Sequence, residues 1–194
     1  MMDEAKSNAD EYCERVCSML ESHGWIIDHE NLEHISGIPT RHDIAQSVVN
    51  KGMSNYDFHY EWLAETSPHA IEMKKFPAAQ TIKAIHQAGG IAICAHLLRT
   101  LEMYERMDML SFVAGTLINC GVDGFEVFYG KSSIEHIETM FNISEANGLL
   151  KTGGSDYHGP ERTGRCPLGK YNVHGPGFDQ KELIRFLEKE IMPP

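Results

Sequence analysis

GLLKTGGSDYHG, residues 148–159, governs how the whole chain is read. LLKT at 149–152 is a strand candidate, two glycines then let the backbone turn sharply, and Asp156 and His158 follow with one residue between them. Upstream, IAICA at 91–95 is a continuous apolar run of the kind buried on both faces of a parallel sheet, and a further strand is predicted around GFEVFY at 124–129. Helical spacing fills the gaps. Pro77 suits a first helical position, with Ile82 and Ile85 facing inward and Gly89-Gly90 ending that helix. Leu110, Val113, Ala114, Leu117 and Ile118 predict a long helix, and Ser132 with Glu135 boxes the next one as far as Gly148. Asp179 with Glu182 caps a last helix through Leu183, Phe186 and Leu187. Strand and helix alternate, so residues 77–194 are predicted to form an α/β sheet or barrel with parallel strands.

Before residue 77 no strand pattern of any length appears, and residues 9–66 read as a small all-helical unit. Tyr12, Val16, Met19 and Leu20 lie on one helical face, and Gly24 is a natural stop. Asp28 is placed to cap a second short helix ending near Gly37. Thr40 with Asp43 resembles a capping box that opens a helix through Val48 and Val49 to Gly52, and Ser54 caps a fourth that buries Phe58 and Trp62. The segment 66–76 reads as a linker.

Composition narrows the function classes. The chain has 194 residues, 42% of them hydrophobic, enough for a sizeable core. Its formal charge of -11 repels a bare phosphate backbone, so non-specific nucleic-acid binding by a basic face is disfavoured, and a phosphate-bearing substrate needs a local cation. No apolar run reaches the ~20 residues of a membrane span. The first sixteen residues have neither the basic start nor the apolar stretch of a signal peptide, and the odd cysteine count lacks a CxxC, so reduced thiols and a cytoplasmic location are expected. Cys13 and Cys17 share a helix face as an ordinary half-buried pair.

The polar residues then fall into a pattern. His96 follows IAICA, Glu126 sits inside GFEVF, and Asp156 and His158 follow LLKTGG, so each predicted strand carries such a group at or near its C-terminal end. In parallel α/β folds that edge is where loops gather and chemistry is placed. Imidazole with carboxylate suits Zn, Mn or Fe, and a DxH spacing on extended backbone lets both side chains reach one ion. Taken singly, each residue has a plainer use: His96 as a hydrogen-bonded loop histidine, Asp156 as a turn residue, Glu126 as a solvated strand residue. Their agreement across three strand ends favours the metal. The histidines at 23, 29, 34, 59, 69, 86, 136 and 174 are assigned no role.

AGGIAICAH at 88–96, GVDGFEVFY at 121–129 and GLLKTGGSDYHG at 148–159 resemble the C-terminal half of the polymerase and histidinol phosphatase (PHP) family of metal-dependent phosphoesterases. RHDIAQSVVNKG at 41–52 is similar to the inserted helical cap of members that act on nucleotides and short RNA. The resemblance implies a partial PHP-type β/α barrel with a small all-helical cap. It implies metal ligation by His96, Asp156 and His158, with Glu126 close to the site, and a phosphate contact from Arg41. Phosphorylated small molecules or short 5'-phosphorylated oligonucleotides are the implied substrates, and Mn, Zn or Fe the implied ions.

Three departures stand out. Leu97 replaces the usual proline after the AH histidine, and the cap reads Arg41-His42-Asp43 where Arg-Pro-His is usual. No HxH pair occurs in the sequence, although family members open on a strand that carries one. The stretch after Phe76 is also shorter than the ~250 residues of a closed α/β barrel. The expectation is therefore a cap plus the C-terminal half of an enzyme, weak or inactive alone, with a sheet edge open to self-association or to a complementing N-terminal segment. The rivals are a truncated or degenerate non-catalytic binding module and a metal-dependent amidohydrolase on a similar barrel.

Overall fold

Parallel strands in the order β1-β2-β3 form the one named sheet among the described residues. The computed structural model describes residues 2–30, 32, 40–129 and 132–157, and the chain divides into two compact units, Met1–Phe76 and Pro77–Pro194. The helix predicted from Asp179 onward and most of the one predicted after Asp28 lie outside the described residues.

The first unit is helical. Helix α1, Met2–Ser22, buries Tyr12, Cys13, Val16, Cys17 and Leu20, the face predicted from spacing. It stops at Gly24, whose φ of 86° is the left-handed position of a helix C-terminus. Helix α2, Arg41–Ser47, opens on the Thr40/Asp43 capping box but ends before Gly52, because Val48 leaves the helix to form an isolated antiparallel bridge with Ile27. Helix α3, Asn55–Phe58, is capped by Ser54 and continues as a π-helical turn, His59–Leu63. That wider turn sets Trp62 edge-on to Trp25 and stacks it on His69 at 4.1 Å. Phe58, Ile44, Leu20 and Val48 close the core beneath.

The second unit alternates helix and strand. Helix α4, Ala78–Gln87, follows Pro77, which stands at the N-cap with φ -56° and ψ 141°, one position earlier than its spacing implied. Strand β1 is confined to Ile93–Cys94, shorter than the apolar run IAICA. Strand β2, Gly124–Tyr129, matches the predicted stretch, and β3 runs Leu150–Gly154. Helix α7, Ile134–Ala146, crosses from β2 to β3; its cap is Ser133, which accepts from the His136 N–H, rather than Ser132.

The helix predicted through Leu110 and Ile118 is α6, Leu110–Asn119; a separate helix, α5, Leu97–Met103, and a short 3₁₀ turn, Met107–Met109, precede it. The stop of α5 is a Schellman motif. Arg106 N–H reaches Leu101 O at 2.8 Å, and Glu105 N–H reaches Glu102 O at 3.1 Å. Glu105 holds the left-handed position, φ 54°, that glycine usually fills, so no residue type announces the stop.

The core of this unit lies between the sheet and its helices, where Leu98, Phe125, Val127, Phe128, Ile137 and Met140 are fully buried. Gly124 is required where β2 runs between its neighbours: a Cβ there would lie 2.5 Å from the Leu150 Cβ and 2.9 Å from Ile93 Cδ1. At the opposite end of β2 from Tyr129, Asp123 accepts from His86 Nε2 at 2.7 Å and from the Ala92 N–H at 2.6 Å, fastening α4 and β1 to the start of the strand. No helix among the described residues is long and apolar enough to cross a membrane.

Replacing Glu105 by glycine removes the steric cost of a side chain at positive φ, roughly 1–2 kcal/mol, against a smaller entropic cost. Glu105→Gly is expected to raise the urea midpoint of the folded chain. A lowered midpoint would contradict the left-handed stop between α5 and α6.

Candidate metal centre

Backbone conformation singles out the site before its chemistry does. The non-glycine residues with positive φ among the described ones are His96 at 36°, Glu105 at 54° and Asp156 at 50°. Glu105 ends a helix, whereas His96 and Asp156 follow β1 and β3 at the sheet edge predicted to carry chemistry. A left-handed residue with a side chain costs free energy and persists only where its surroundings hold it.

Glu126, in the middle of β2, supplies much of that hold. Its Oε2 accepts the His96 N–H at 2.7 Å, although His96 belongs to the loop after β1. Its Oε1 lies over Gly154 on β3, where an added Cβ would collide with it. One half-buried carboxylate thus joins the ends of all three strands. Its reading as a solvated strand residue does not survive. The same carboxylate raises the neighbouring Cys94 thiol above its ordinary pKa, although burial is the larger cause.

His96 stands at the N-cap of α5 but does no capping with its side chain. Its Nδ1 lies 3.4 Å from Thr100 Oγ1, a long contact, while the Thr100 hydroxyl donates to the His96 carbonyl at 3.1 Å. With the Thr100 hydrogen directed at that carbonyl, the tautomer that fits the Nδ1 contact is the one protonated at Nδ1, which leaves the lone pair on Nε2. No hydrogen bond engages Nε2 among the described residues. A ring held through one nitrogen with the other open is the arrangement of a metal-ligating histidine.

Asp156 is linked to the same place through Tyr129, the last residue of β2. Tyr129 Oη donates to Asp156 Oδ2 at 3.2 Å, and its ring stands edge-on to the His96 imidazole, centroids 6.5 Å apart. Imidazole nitrogen and carboxylate oxygen therefore come together on one sheet edge, which fits the donor set of Zn, Mn or Fe. His158 lies outside the described residues. Among those that are described, no three His, Cys, Asp or Glu side chains are grouped to hold an ion.

Arg41 belongs to the other unit. Its Nε donates to Tyr12 Oη at 2.8 Å and its Nη2 to Glu65 Oε1 at 3.4 Å, with Lys75 on the same carboxylate at 2.6 Å. Burial lowers the Arg41 pKa, but the hydrogen bonds and the nearby negative charge outweigh it, and the net shift is upward. Tyr129 and Thr100 were missed by the sequence reading. A tyrosine ending a strand and a threonine one turn into a helix carry no signal of their own.

The packing of Glu126 on Gly154 gives a test. Gly154→Ala alone is expected to cost about 1–3 kcal/mol through overpacking. In an Glu126→Ala background most of that cost should vanish, giving a coupling above about 1 kcal/mol in a double-mutant cycle. Additive effects in urea unfolding would contradict the contact.

No protein-family model matches the chain. Over 96 residues it is 28% identical to the phosphoribosyl 1,2-cyclic phosphate 1,2-diphosphodiesterase of Eggerthella lenta, covering 50% of this chain and 33% of that one. Among solved structures it is similar to a Bifidobacterium adolescentis protein provisionally described as a metal-dependent phosphoesterase. That match has TM-score 0.72 and 24% identity, over 96% of this chain and 64% of that one. It is also similar to an amidohydrolase from Chromobacterium violaceum solved with sulfate and no metal, with TM-score 0.60 and 21% identity, over 80% and 57% of the two chains. The chain thus spans a third of the curated relative and less than two thirds of either structural neighbour. The fold is a partial α/β barrel with parallel strands and a helical unit, and the resemblance to PHP-type metal-dependent phosphoesterases seen in the motifs holds in the fold as well.

Proposed function

We propose that the chain belongs to a metal-dependent phosphoesterase that hydrolyses nucleotide phosphates or short 5'-phosphorylated oligonucleotides. The observation that carries this reading is the pair of left-handed residues, His96 and Asp156, held at one sheet edge by Glu126 and Tyr129. Strain kept at the ends of two strands that flank β2, on residues with ligand chemistry, is what a binding centre requires and a plain core does not. The E. lenta relative, a phosphodiesterase by name, supports the class of bond.

His96 would hold the ion through Nε2, Asp156 through its carboxylate, and His158 from the position two residues on. A bound Mn, Zn or Fe ion supplies Lewis acidity, polarising a phosphoryl oxygen and making water acidic enough to attack at neutral pH. Thr100 would keep the His96 proton on Nδ1, and Glu126 keeps the His96 backbone in place. Arg41 is proposed as the phosphate contact of the helical unit, by the planar fork that pairs with two phosphate oxygens. Its two hydrogen bonds to Tyr12 and Glu65 orient that fork. It also provides the local cation that a chain of charge -11 needs for an anionic substrate. The proposed setting is the cytoplasm.

A second reading, a non-catalytic binding module, rests on the sequence, which carries no HxH pair. Metal content separates the two. Purified without chelator, the chain is expected to retain Mn, Zn or Fe, and His96→Ala and Asp156→Asn should each lower the affinity by at least about tenfold. Phosphate release from a 5'-phosphorylated dinucleotide in the presence of Mn, with an anilide as the amidohydrolase control, reads the activity. No retained metal and no turnover would support the binding module, and turnover of the anilide alone would support an amidohydrolase.

A further inference from the structure

Strict alternation along a strand places residues two apart on one face. Counted from Glu126, it puts Phe128 on the site face and Tyr129 on the helix face. The structure has the reverse arrangement. Phe125, Val127 and Phe128 are all fully buried in the core cluster, while Tyr129 shares the face of Glu126. The pairing with β3 shows why. Glu126 is opposite Thr152, yet Gly153 is opposite Phe128 and Gly154 opposite Tyr129. One residue of β2, Val127, has no counterpart on β3, which makes this a β-bulge.

A one-residue insertion flips every side chain beyond it to the other face. Beyond Val127 that flip turns the Tyr129 hydroxyl to Asp156 and its ring edge to His96. Without it, the hydroxyl would enter the apolar layer of Leu98, Ile137 and Met140, where burying it unpaired is costly. The bulge also sits between the two contacts that hold the site, Glu126 on His96 and Tyr129 on Asp156. Bulges of this kind re-aim side chains next to active sites.

We propose that Tyr129 is a positioning residue, delivered to the site face by the Val127 bulge, that holds Asp156 in its left-handed conformation ready for the ion. It acts through Asp156 and is not itself a ligand. The proposal rests on the metal-site reading for its purpose, but its structural half stands in the metal-free protein.

Tyr129→Phe keeps the ring and its packing and removes one oxygen. Two readouts are taken on the full chain: the Asp156 amide and its intraresidue Hα–HN distance by NMR without metal, and Mn and Co(II) binding by titration. In the metal-free variant the short Hα–HN distance of a positive-φ residue should be lost or averaged, and the affinity for both ions should fall by about tenfold. 4-Aminophenylalanine at position 129 returns a donor to the same place and should restore both. An unchanged Asp156 conformation in Tyr129→Phe overturns the proposal whatever the metal does. A disturbed Asp156 in a chain whose wild type binds neither ion upholds the positioning and sinks the metal site. Loss of binding that the amino analogue fails to restore also overturns it, because the effect would then come from packing rather than from the hydrogen bond.

Discussion

The carboxylate of Glu126 bridges chain segments that the sequence keeps far apart. One oxygen takes the backbone N–H of His96 after β1, and the other rests on Gly154 at the end of β3. A carboxylate accepting a backbone N–H is a charge-assisted hydrogen bond, stronger than a neutral one. It holds the N–H side of His96, while Thr100 holds the carbonyl side through its N–H and its hydroxyl. The glycine pair in TGGSD then has a physical meaning: Gly154 leaves the room that the carboxylate fills.

Strain and support balance within a few residues. Left-handed backbone at His96 and at Asp156 costs roughly 1–2 kcal/mol each. The Glu126 bond at 2.7 Å and the Tyr129 bond at 3.2 Å offset this, and the apolar layer of Phe125, Val127 and Phe128 holds the strand that carries both acceptor and donor. The sheet face toward the helices provides stability, while the opposite face, beyond the bulge, provides geometry. Asp123 and His86 fasten the other end of β2, so the strand is held at both ends and free to present Glu126 between them.

Much of the fold was legible because period and capping chemistry are local. GFEVFY became a strand, Thr40 with Asp43 became a capping box, and Tyr12 to Leu20 became a buried face. The break between α5 and α6 was not, since Glu105 occupies a glycine conformation and no propensity rule marks it. Ser133 rather than Ser132 capping α7 is a one-residue error of the usual kind at helix ends. At the site, His96 and Asp156 were visible as polar groups after strands. Tyr129 was hidden for a different reason. A bulge is a property of two strands in register, and alternation read along one strand places Tyr129 on the wrong face.

The account is tested most directly by locating the ion. Crystals grown with Mn and measured on both sides of its absorption edge are expected to show an anomalous peak within bonding distance of His96 Nε2 and the Asp156 carboxylate. Glu126 should still hold the His96 N–H, and Tyr129 should still hold Asp156. A peak placed elsewhere, such as beside Cys13 and Cys17, or a Glu126 carboxylate released from His96, would contradict it.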